Sequence, residues 1–380
     1  MRGVKDIKVS TDAKAGVQDP FLFESPSAFD AISTRTPVCL DQLQRPLKSL
    51  RLSVIDQCNF RCTYCMPKEI YTKDYPFLKA GSRLSFQQMV SIAKGFVSLG
   101  VEKVRLTGGE PLLRKDIEKL VEALARLATP DGRPVEIVLT TNGTLLAAKA
   151  RALKDAGLAG VTVSLDSLDD AVFRHMNDVG FPVGKVLDGI EAARNAGIDT
   201  VKVNTVIEKG VNDSQILPLA KYFRHSGVTP RFIEFMDVGG AESWSMQRVL
   251  RSEDVRNRIA QAYPLVPRPG FRGSDTAQRF LYADGGGEVG FISSVSKPFC
   301  GDCTRARVSA DGRMFLCLFA ERGVDLRQWL TESTSPEALR DAIRSRWERR
   351  DDRYSELRTE RLARNGKKSY PTVRMSLVGG

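Results

Sequence analysis

The sequence predicts an α/β fold, a six-stranded parallel sheet curved into a partial β/α barrel, followed by a C-terminal α+β segment. Three observations predict it. Between residues 49 and 237, short β-branched runs alternate with longer amphipathic stretches, the signature of βα units joined by right-handed crossovers. Polar residues collect just after those runs, at the end where such barrels place their chemistry. From about Val238 the alternation gives way to shorter strands and a helix. The division expected is a weakly ordered N-terminal extension at 1–44, the partial barrel at 45–240, and a C-terminal segment at 241–380.

The extended runs are residues 50–55, 103–107, 135–140, 161–165, 201–207 and 232–236, the first five rich in Val, Ile, Leu or Thr and the last carrying Phe232, Ile233 and Phe235. Helical periodicity fills the gaps at 86–99, 115–127, 145–156, 185–196 and 213–225, with a short extra segment at 169–177. Thr107-Gly108-Gly109-Glu110, Thr140-Thr141-Asn142-Gly143, Ser164-Leu165-Asp166-Ser167 and Met236-Asp237 follow strands on one expected face. An open doubly wound sheet is the alternative that pattern alone separates poorly. Beyond the barrel, a helix is expected at 253–262, a Pro-rich linker at 264–269, and strands near 279–283 and 288–292.

Composition bounds the function. With 42% hydrophobic and 27% charged residues over 380 positions, the chain is globular, not disordered, collagen-like or a coiled coil. No apolar run reaches the length of about 18 residues that a membrane helix needs. The first 40 residues carry five acids and two arginines, unlike an acid-poor, Arg-rich transit peptide, so a cytoplasmic location is expected. The net charge is +11, yet twelve Lys or Arg against six Asp or Glu fall within residues 340–374. Few aromatics are interleaved there to stack on bases, which favours a solvated strap over a nucleic-acid face.

Seven cysteines stand against two histidines, His175 and His225, which excludes chemistry built on several imidazoles. Six thiols form two groups, Cys58, Cys62, Cys65 and Cys300, Cys303, Cys317, while Cys39 stands alone. An odd count in a chain too large to need covalent staples points to a reducing compartment, where clustered cysteines bind metal or react. The first group is C-x3-C-x2-C, directly after the first strand. Structural zinc wants four ligands, whereas three thiolates suit a cubane iron–sulfur cluster with one iron open. An open iron is what radical chemistry with S-adenosylmethionine requires. The second group is C-x2-C-x13-C; spacing alone leaves a zinc ribbon open there, with Cys39 as a conceivable fourth ligand or otherwise an idle thiol.

Arg51-Leu52-Ser53-Val54, Cys58-Asn59-Phe60-Arg61-Cys62-Thr63-Tyr64-Cys65-Met66-Pro67 and Leu106-Thr107-Gly108-Gly109-Glu110-Pro111 resemble the radical S-adenosylmethionine superfamily. With Pro298-Phe299-Cys300-Gly301-Asp302-Cys303-Thr304-Arg305-Ala306-Arg307 added, the chain from about Leu40 onward resembles its GTP-cyclising family. That family opens molybdenum cofactor (molybdopterin) biosynthesis with a lyase reaction that converts GTP to 3′,8-cyclo-7,8-dihydro-GTP. The resemblance implies two [4Fe-4S] clusters, the first held by Cys58, Cys62 and Cys65 and the second by Cys300, Cys303 and Cys317. It implies S-adenosylmethionine contacts from Tyr64, Gly109, Ser164 and Met236, and GTP contacts from Arg51, Arg105, Thr140, Lys202, Arg305, Ala306 and Arg307. Arg51 and the terminal Gly379 and Gly380 would support catalysis, the glycines as a tail entering the substrate cavity.

The residue chemistry agrees in part. Consecutive glycines permit close backbone approach to a ligand, a strand-end serine suits an amino-acid head group, and guanidinium groups suit a triphosphate. No Gly-x4-Gly-Lys-Ser/Thr loop is present, so a nucleotide here is held by side chains, as a substrate. The expected partners are GTP, a flavodoxin- or ferredoxin-like electron donor, the cyclic pyranopterin monophosphate synthase that takes the product, and a second copy in a homodimer. Neither membrane nor nucleic acid is expected. Ile55 and Gln57 depart from the Thr and Arg usual in the family, so side-chain contacts at those positions do not carry over. Two rivals are a peptide- or RNA-modifying radical enzyme with an auxiliary cluster, and a non-catalytic zinc protein that binds nucleic acid; Arg305, Arg307 and the Gly-Gly end argue against the first.

Overall fold

A computed structural model describes residues 38–238, 244–269, 276–357 and 374–379. The predicted strands form β1 (Ser49–Ser53), β2 (Lys103–Thr107), β3 (Glu136–Thr141), β4 (Gly160–Ser164), β5 (Thr200–Ile207) and β6 (Thr229–Glu234). Between them lie α1 (Phe86–Val97), α2 (Ile117–Ala125), α3 (Leu146–Asp155), α4 (Asp170–Asn177), α5 (Val183–Asn195) and α6 (Ile216–Phe223). Local chemistry sets several helix starts. Ser85 and Gln88 close a reciprocal capping box on α1, and the Asp169 carboxylate accepts the Val172 N–H at the start of α4, each satisfying amides with no partner inside the helix.

The later part of the chain adds α7 (Ser252–Ala262), β7 (Leu265–Pro267), β8 (Gln278–Tyr282), β9 (Glu288–Ile292), β10 (Arg305–Val308), β11 (Arg313–Phe315), β12 (Val324–Asp325), α8 (Pro336–Glu348) and α9 (Met375–Val378). Its strands join the same sheet, whose order is β12-β11-β10-β1-β2-β3-β4-β5-β6-β9-β8-β7. Both β10 on β1 and β9 on β6 pair parallel, so the C-terminal segment extends the six-stranded run at both edges. The stretch expected to be a Pro-rich linker at 264–269 instead contains β7. Pro267 is tolerated because β7 is the outermost strand, where a missing N–H breaks no ladder.

The sheet curls. In a flat sheet, β1 and β6 would lie about 24 Å apart at about 4.8 Å per strand. Yet Arg51 on β1 and Arg231 on β6 line the same cavity, and Arg105 on β2 and Arg231 both donate to the Thr162 hydroxyl on β4, so the strands close around a shared interior. Burial alternates accordingly. On β5, Val201, Val203, Thr205 and Ile207 are buried, whereas Lys202, Asn204 and Val206 are only partly so. Parallel strands covered on both faces usually read as unbroken apolar runs; here Lys202 and Asn204 interrupt the run because the inward positions line a cavity.

Of the extension expected at 1–44, residues 1–37 lie outside those described. From Cys39 onward the chain is packed: Cys39 and Asp41 are buried, and Leu40 bridges Pro46. Strand β9, between β6 and β8, is anchored by Phe291, which sits in register with Phe232 of β6 with ring centroids 6.1 Å apart. Replacing Phe291 with Ala should lower stability by about 3–5 kcal/mol, whereas Tyr222→Ala on the exposed side of α6 should change it by no more than about 0.5 kcal/mol. The comparison is made by the denaturant midpoint; equal shifts would mean that β9 is not part of the core.

Candidate active site between two thiol triads

One cavity of about 590 Å³ runs within the barrel, and all six clustered thiols line it, a size that suits a bound small molecule. The first triad follows β1. Arg61 fixes its loop by donating from Nη1 to the carbonyls of Cys58 and Phe60 at 2.9 and 2.8 Å, and from Nε to the Tyr71 carbonyl at 2.9 Å. Phe60 anchors the loop in apolar surroundings against Phe173 and Phe181. Burial, with Glu110 nearby, pushes the Cys58 thiol up to about 12. Burial also pushes Cys65 up to about 12 and raises Cys62 strongly. Thiols so placed ionise only against a cationic partner, and a bound metal centre supplies one.

The Gly-Gly turn packs against the segment preceding that triad. A Cβ on Gly109 would lie 2.2 Å from the Gln57 carbonyl oxygen, so only glycine fits. The Gly109 N–H donates to the Ile55 carbonyl and the Glu110 N–H to the Gln57 carbonyl, both at 2.8 Å. Ile55 and Gln57 thus act through main-chain carbonyls, which explains why unusual side chains are accommodated there. Glu110 is buried beneath the turn: its carboxylate accepts from the N–H groups of Leu112 and Asn142 at 2.9 and 2.7 Å, and from the Thr141 hydroxyl at 2.7 Å. Burial outweighs those donors and raises its pKa to about 7. Tyr64 donates its hydroxyl to Asp166 at 2.7 Å, so its ring and main chain are what it offers the cavity. Asp166 is itself raised to about 6 by burial. Ser164 and Met236, at the ends of β4 and β6, also line the cavity.

The opposite wall carries the second triad, in a 3-10 turn at Cys300–Asp302 and before and after β10–β11. Burial raises the Cys317 thiol to about 11. Cys303 goes the other way: burial opposes ionisation, but Arg305 and Arg350 outweigh it and lower the thiol to about 6. Between the triads stand cations. Arg307, Arg51 and Arg105 occupy one row across β10, β1 and β2, and Thr140, Thr162 and Lys202 occupy another across β3, β4 and β5. The Arg105 guanidinium donates to the hydroxyls of Thr140 and Thr162 at 3.1 and 3.2 Å, and Arg231 reaches Thr162 at 3.2 Å. Desolvation and then the charges of Arg307, Arg305, Arg105 and Arg231 hold Arg51 well below its usual range. Arg307 is lowered to about 10, by burial first and Arg305 second. Such crowding of like charge marks a site for a polyanion.

The chain end reaches the same place. Gly379, with φ +71°, lies against Thr107 where an added Cβ would sit 2.1 Å from the Thr107 Cγ2, and its carbonyl accepts from Arg307. Gly380 lies outside the described residues.

Comparison with known proteins gives the wider frame. Residues 52–223 match the Radical SAM superfamily and residues 228–356 match Molybdenum Cofactor Synthesis C. The chain is 50% identical over 340 residues to GTP 3′,8-cyclase of Xanthomonas axonopodis pv. citri, covering 90% of this chain and 98% of that protein. It is 46% identical over 360 residues to the GTP 3′,8-cyclase of Acidothermus cellulolyticus, again over 90% of this chain and 98% of the other. The chain belongs to the GTP 3′,8-cyclase family. Among solved structures, Streptococcus suis SuiB bound to S-adenosylmethionine aligns with a TM-score of 0.54 at 16% identity, covering 79% of this chain and 68% of that one; this likeness shows the fold.

Within this family member, the candidate residues converge with one qualification. Cys58, Cys62, Cys65, Tyr64, Gly109, Ser164, Met236, Arg51, Arg105, Thr140, Lys202, Arg305, Arg307, Cys300, Cys303 and Cys317 all line the cavity. Ala306 buries its methyl group in the core instead, so anything it offers is main chain. Among the described residues no three Cys, His, Asp or Glu side chains converge on a single-ion site. The fit to iron–sulfur clusters therefore rests on donor chemistry: each triad supplies three thiols to a shared cavity, and Gly109 leaves the close approach that a bound cofactor needs beside the first. Arg231 and Arg350 were not singled out from sequence. Arg231 lies one residue before the strand expected at 232–236, and only because β6 runs Thr229–Glu234 does it fall on the inward register; Arg350 lies in a basic run that reads as solvated.

Glu110 generates a pH prediction. Its folded pKa of about 7 lies above the ordinary 4.5, so the folded protein keeps a proton that the unfolded chain releases. Stability of the metal-free protein should therefore fall as pH rises from 4.5 to about 7. Glu110→Gln should flatten that slope in denaturant titrations across the window; an unchanged slope would show that Glu110 is ionised throughout.

Proposed function

We propose that the chain carries out the first step of molybdenum cofactor biosynthesis in the cavity between its two thiol triads, closing the C3′–C8 bond of GTP. Its reaction class is that of its family, a radical S-adenosylmethionine lyase. The observation that carries the residue assignment is the single cavity with thiols at both ends and guanidinium groups between. We assign a [4Fe-4S] cluster to Cys58, Cys62 and Cys65, with S-adenosylmethionine beside it at Tyr64, the Gly109 carbonyl, Ser164 and Met236. We assign a second cluster to Cys300, Cys303 and Cys317, facing the guanine. When bound, the first cluster and S-adenosylmethionine supply one-electron cleavage and removal of a hydrogen atom from the substrate.

The protein residues do the remaining tasks. Arg51, Arg105, Arg305 and Arg307, with Lys202, hold the triphosphate by charge-assisted hydrogen bonds, and Thr140 and Thr162 orient Arg105 by accepting from it. A polyanion relieves the repulsion that depresses Arg51, so ligand charge and site charge are matched. The tail packs against that charge: Val378 and Gly379 are buried and the Gly379 carbonyl accepts from Arg307, and exclusion of water protects a reactive intermediate. A flavodoxin- or ferredoxin-like reductant, a homodimer, and a synthase that consumes the product are the partners that this reading includes. Among the described residues no helix is long and apolar enough to cross a membrane.

The test is anaerobic incubation with S-adenosylmethionine, a strong reductant and one nucleoside triphosphate at a time. GTP should give more 5′-deoxyadenosine than ATP, together with a cyclised product, and Cys303→Ala should retain S-adenosylmethionine cleavage while losing that product. Equal yields with ATP would overturn the substrate assignment. An undiminished product from the Cys303 variant would make the second triad structural.

A further inference from the structure

Two buried arginines outside the triphosphate cluster sit beneath the second cysteine loop. The chain enters β1 through a tight hairpin in which Leu40 bridges Pro46 and the Leu47 N–H donates to the Cys39 carbonyl at 3.0 Å. Asp41 lies in its turn. One carboxylate oxygen accepts the N–H groups of Leu43 and Arg45, both at 2.9 Å. The other accepts from Arg45 Nε at 2.6 Å and from Arg350 Nη1 at 3.2 Å. The Asp41, Arg45 and Arg350 side chains are all exposed by 2% or less.

Both guanidinium groups also reach the loop carrying the thiols. Arg45 Nη1 donates to the carbonyls of Cys300 and Asp352 at 2.6 and 2.9 Å, and Arg350 Nη1 donates to the Cys303 carbonyl at 2.7 Å. The main-chain carbonyls of two of the three cysteines are thus held by buried cations through strong, charge-assisted bonds. Trp347 completes the assembly, donating from Nε1 to the Arg45 carbonyl at 3.1 Å while its ring lies 4.6 Å from the Arg350 guanidinium carbon. The charge balance leans positive. Against two guanidinium groups stands one fully buried carboxylate; Asp352 is 3.9 Å from Arg350 and about a third exposed. Arg45 Nη2 and Arg350 Nε are buried without a hydrogen-bond partner, and orphaned donors of this kind call for a reason.

We propose that Asp41, Arg45 and Arg350 form a clamp that shapes the Cys300–Cys303 turn for its cluster, and that Arg350 sets the electrostatic environment of that cluster. The reason for the excess positive charge is then that a thiolate-bound cluster adds negative charge at the same place. This rests on the reading that the second triad holds a cluster. Asp41 and Arg45 are positioning residues that do not line the cavity, whereas Arg350 reaches its wall. The first triad has its own tie, Arg61, so the clamp acts on one cluster only.

The test uses the full chain, reconstituted anaerobically, with iron and sulfide content and the reduction potential of each cluster followed by electron paramagnetic resonance. Wild type should hold about eight irons per chain. Asp41→Asn and Arg45→Lys should fall to about four, with the first cluster's signal and its response to S-adenosylmethionine unchanged. Arg350→Gln should move the second cluster's potential to more negative values, and Arg350→Lys should restore it. Full iron content with unmoved potentials would overturn the clamp. Loss of both clusters together in Asp41→Asn and Arg45→Lys would also overturn it, by making the trio a general element of the fold. About four irons in wild type would instead defeat the two-cluster reading beneath it.

Discussion

Mutual repulsion among buried guanidinium groups is the constraint around which this molecule is organised. Arg51, Arg105, Arg231, Arg305 and Arg307 are brought into one interior by strand register, where burial and then the charges of the other four hold Arg51 down, and burial and then Arg305 lower Arg307, in a medium that screens charge less than water does. No local preference would assemble them; the parallel ladder does, with its apolar faces packed under helices. Threonine hydroxyls and the Gly379 carbonyl offset part of the cost. The remainder is a standing affinity for a polyanion, so the fold is least comfortable when empty.

The two thiol triads frame that charge and are treated differently by their surroundings. The first is set in apolar packing, with burial raising its thiols, and beside it a Gly-Gly turn too tight for any side chain. The second is set among cations, and Cys303 is drawn down by Arg305 and Arg350 against its burial. Arginines secure both loops by donating to main-chain carbonyls, Arg61 in one case and Arg45 with Arg350 in the other. A loop must expose its thiols to the cavity and therefore cannot bury its own backbone against a sheet. Guanidinium forks from behind supply the missing hydrogen bonds.

Much of this was legible in the chain, where the signal is local. The β2 and β9 bounds, the starts of α1 and α4 to within one residue, and both cysteine groups follow from periodicity and spacing. What escaped depends on partners far away in sequence. That β10 would pair with β1 and β9 with β6 has no local signature, since an edge is completed by whichever strand reaches it. β7 was hidden by Pro267, acceptable only because that strand is outermost. Asp41, Arg45 and Arg350 read as ordinary polar residues until the hairpin, the second cysteine loop and the end of α8 are brought together.

The central claim, that the cavity's charge is matched to a triphosphate, is tested most directly by ligand-induced thermal stabilisation of the anaerobic enzyme with GTP, GDP, GMP and guanosine. The account predicts that stabilisation falls stepwise as phosphates are removed, and that the GTP effect shrinks as ionic strength rises. Guanosine stabilising the protein as strongly as GTP, with no response to salt, would contradict it.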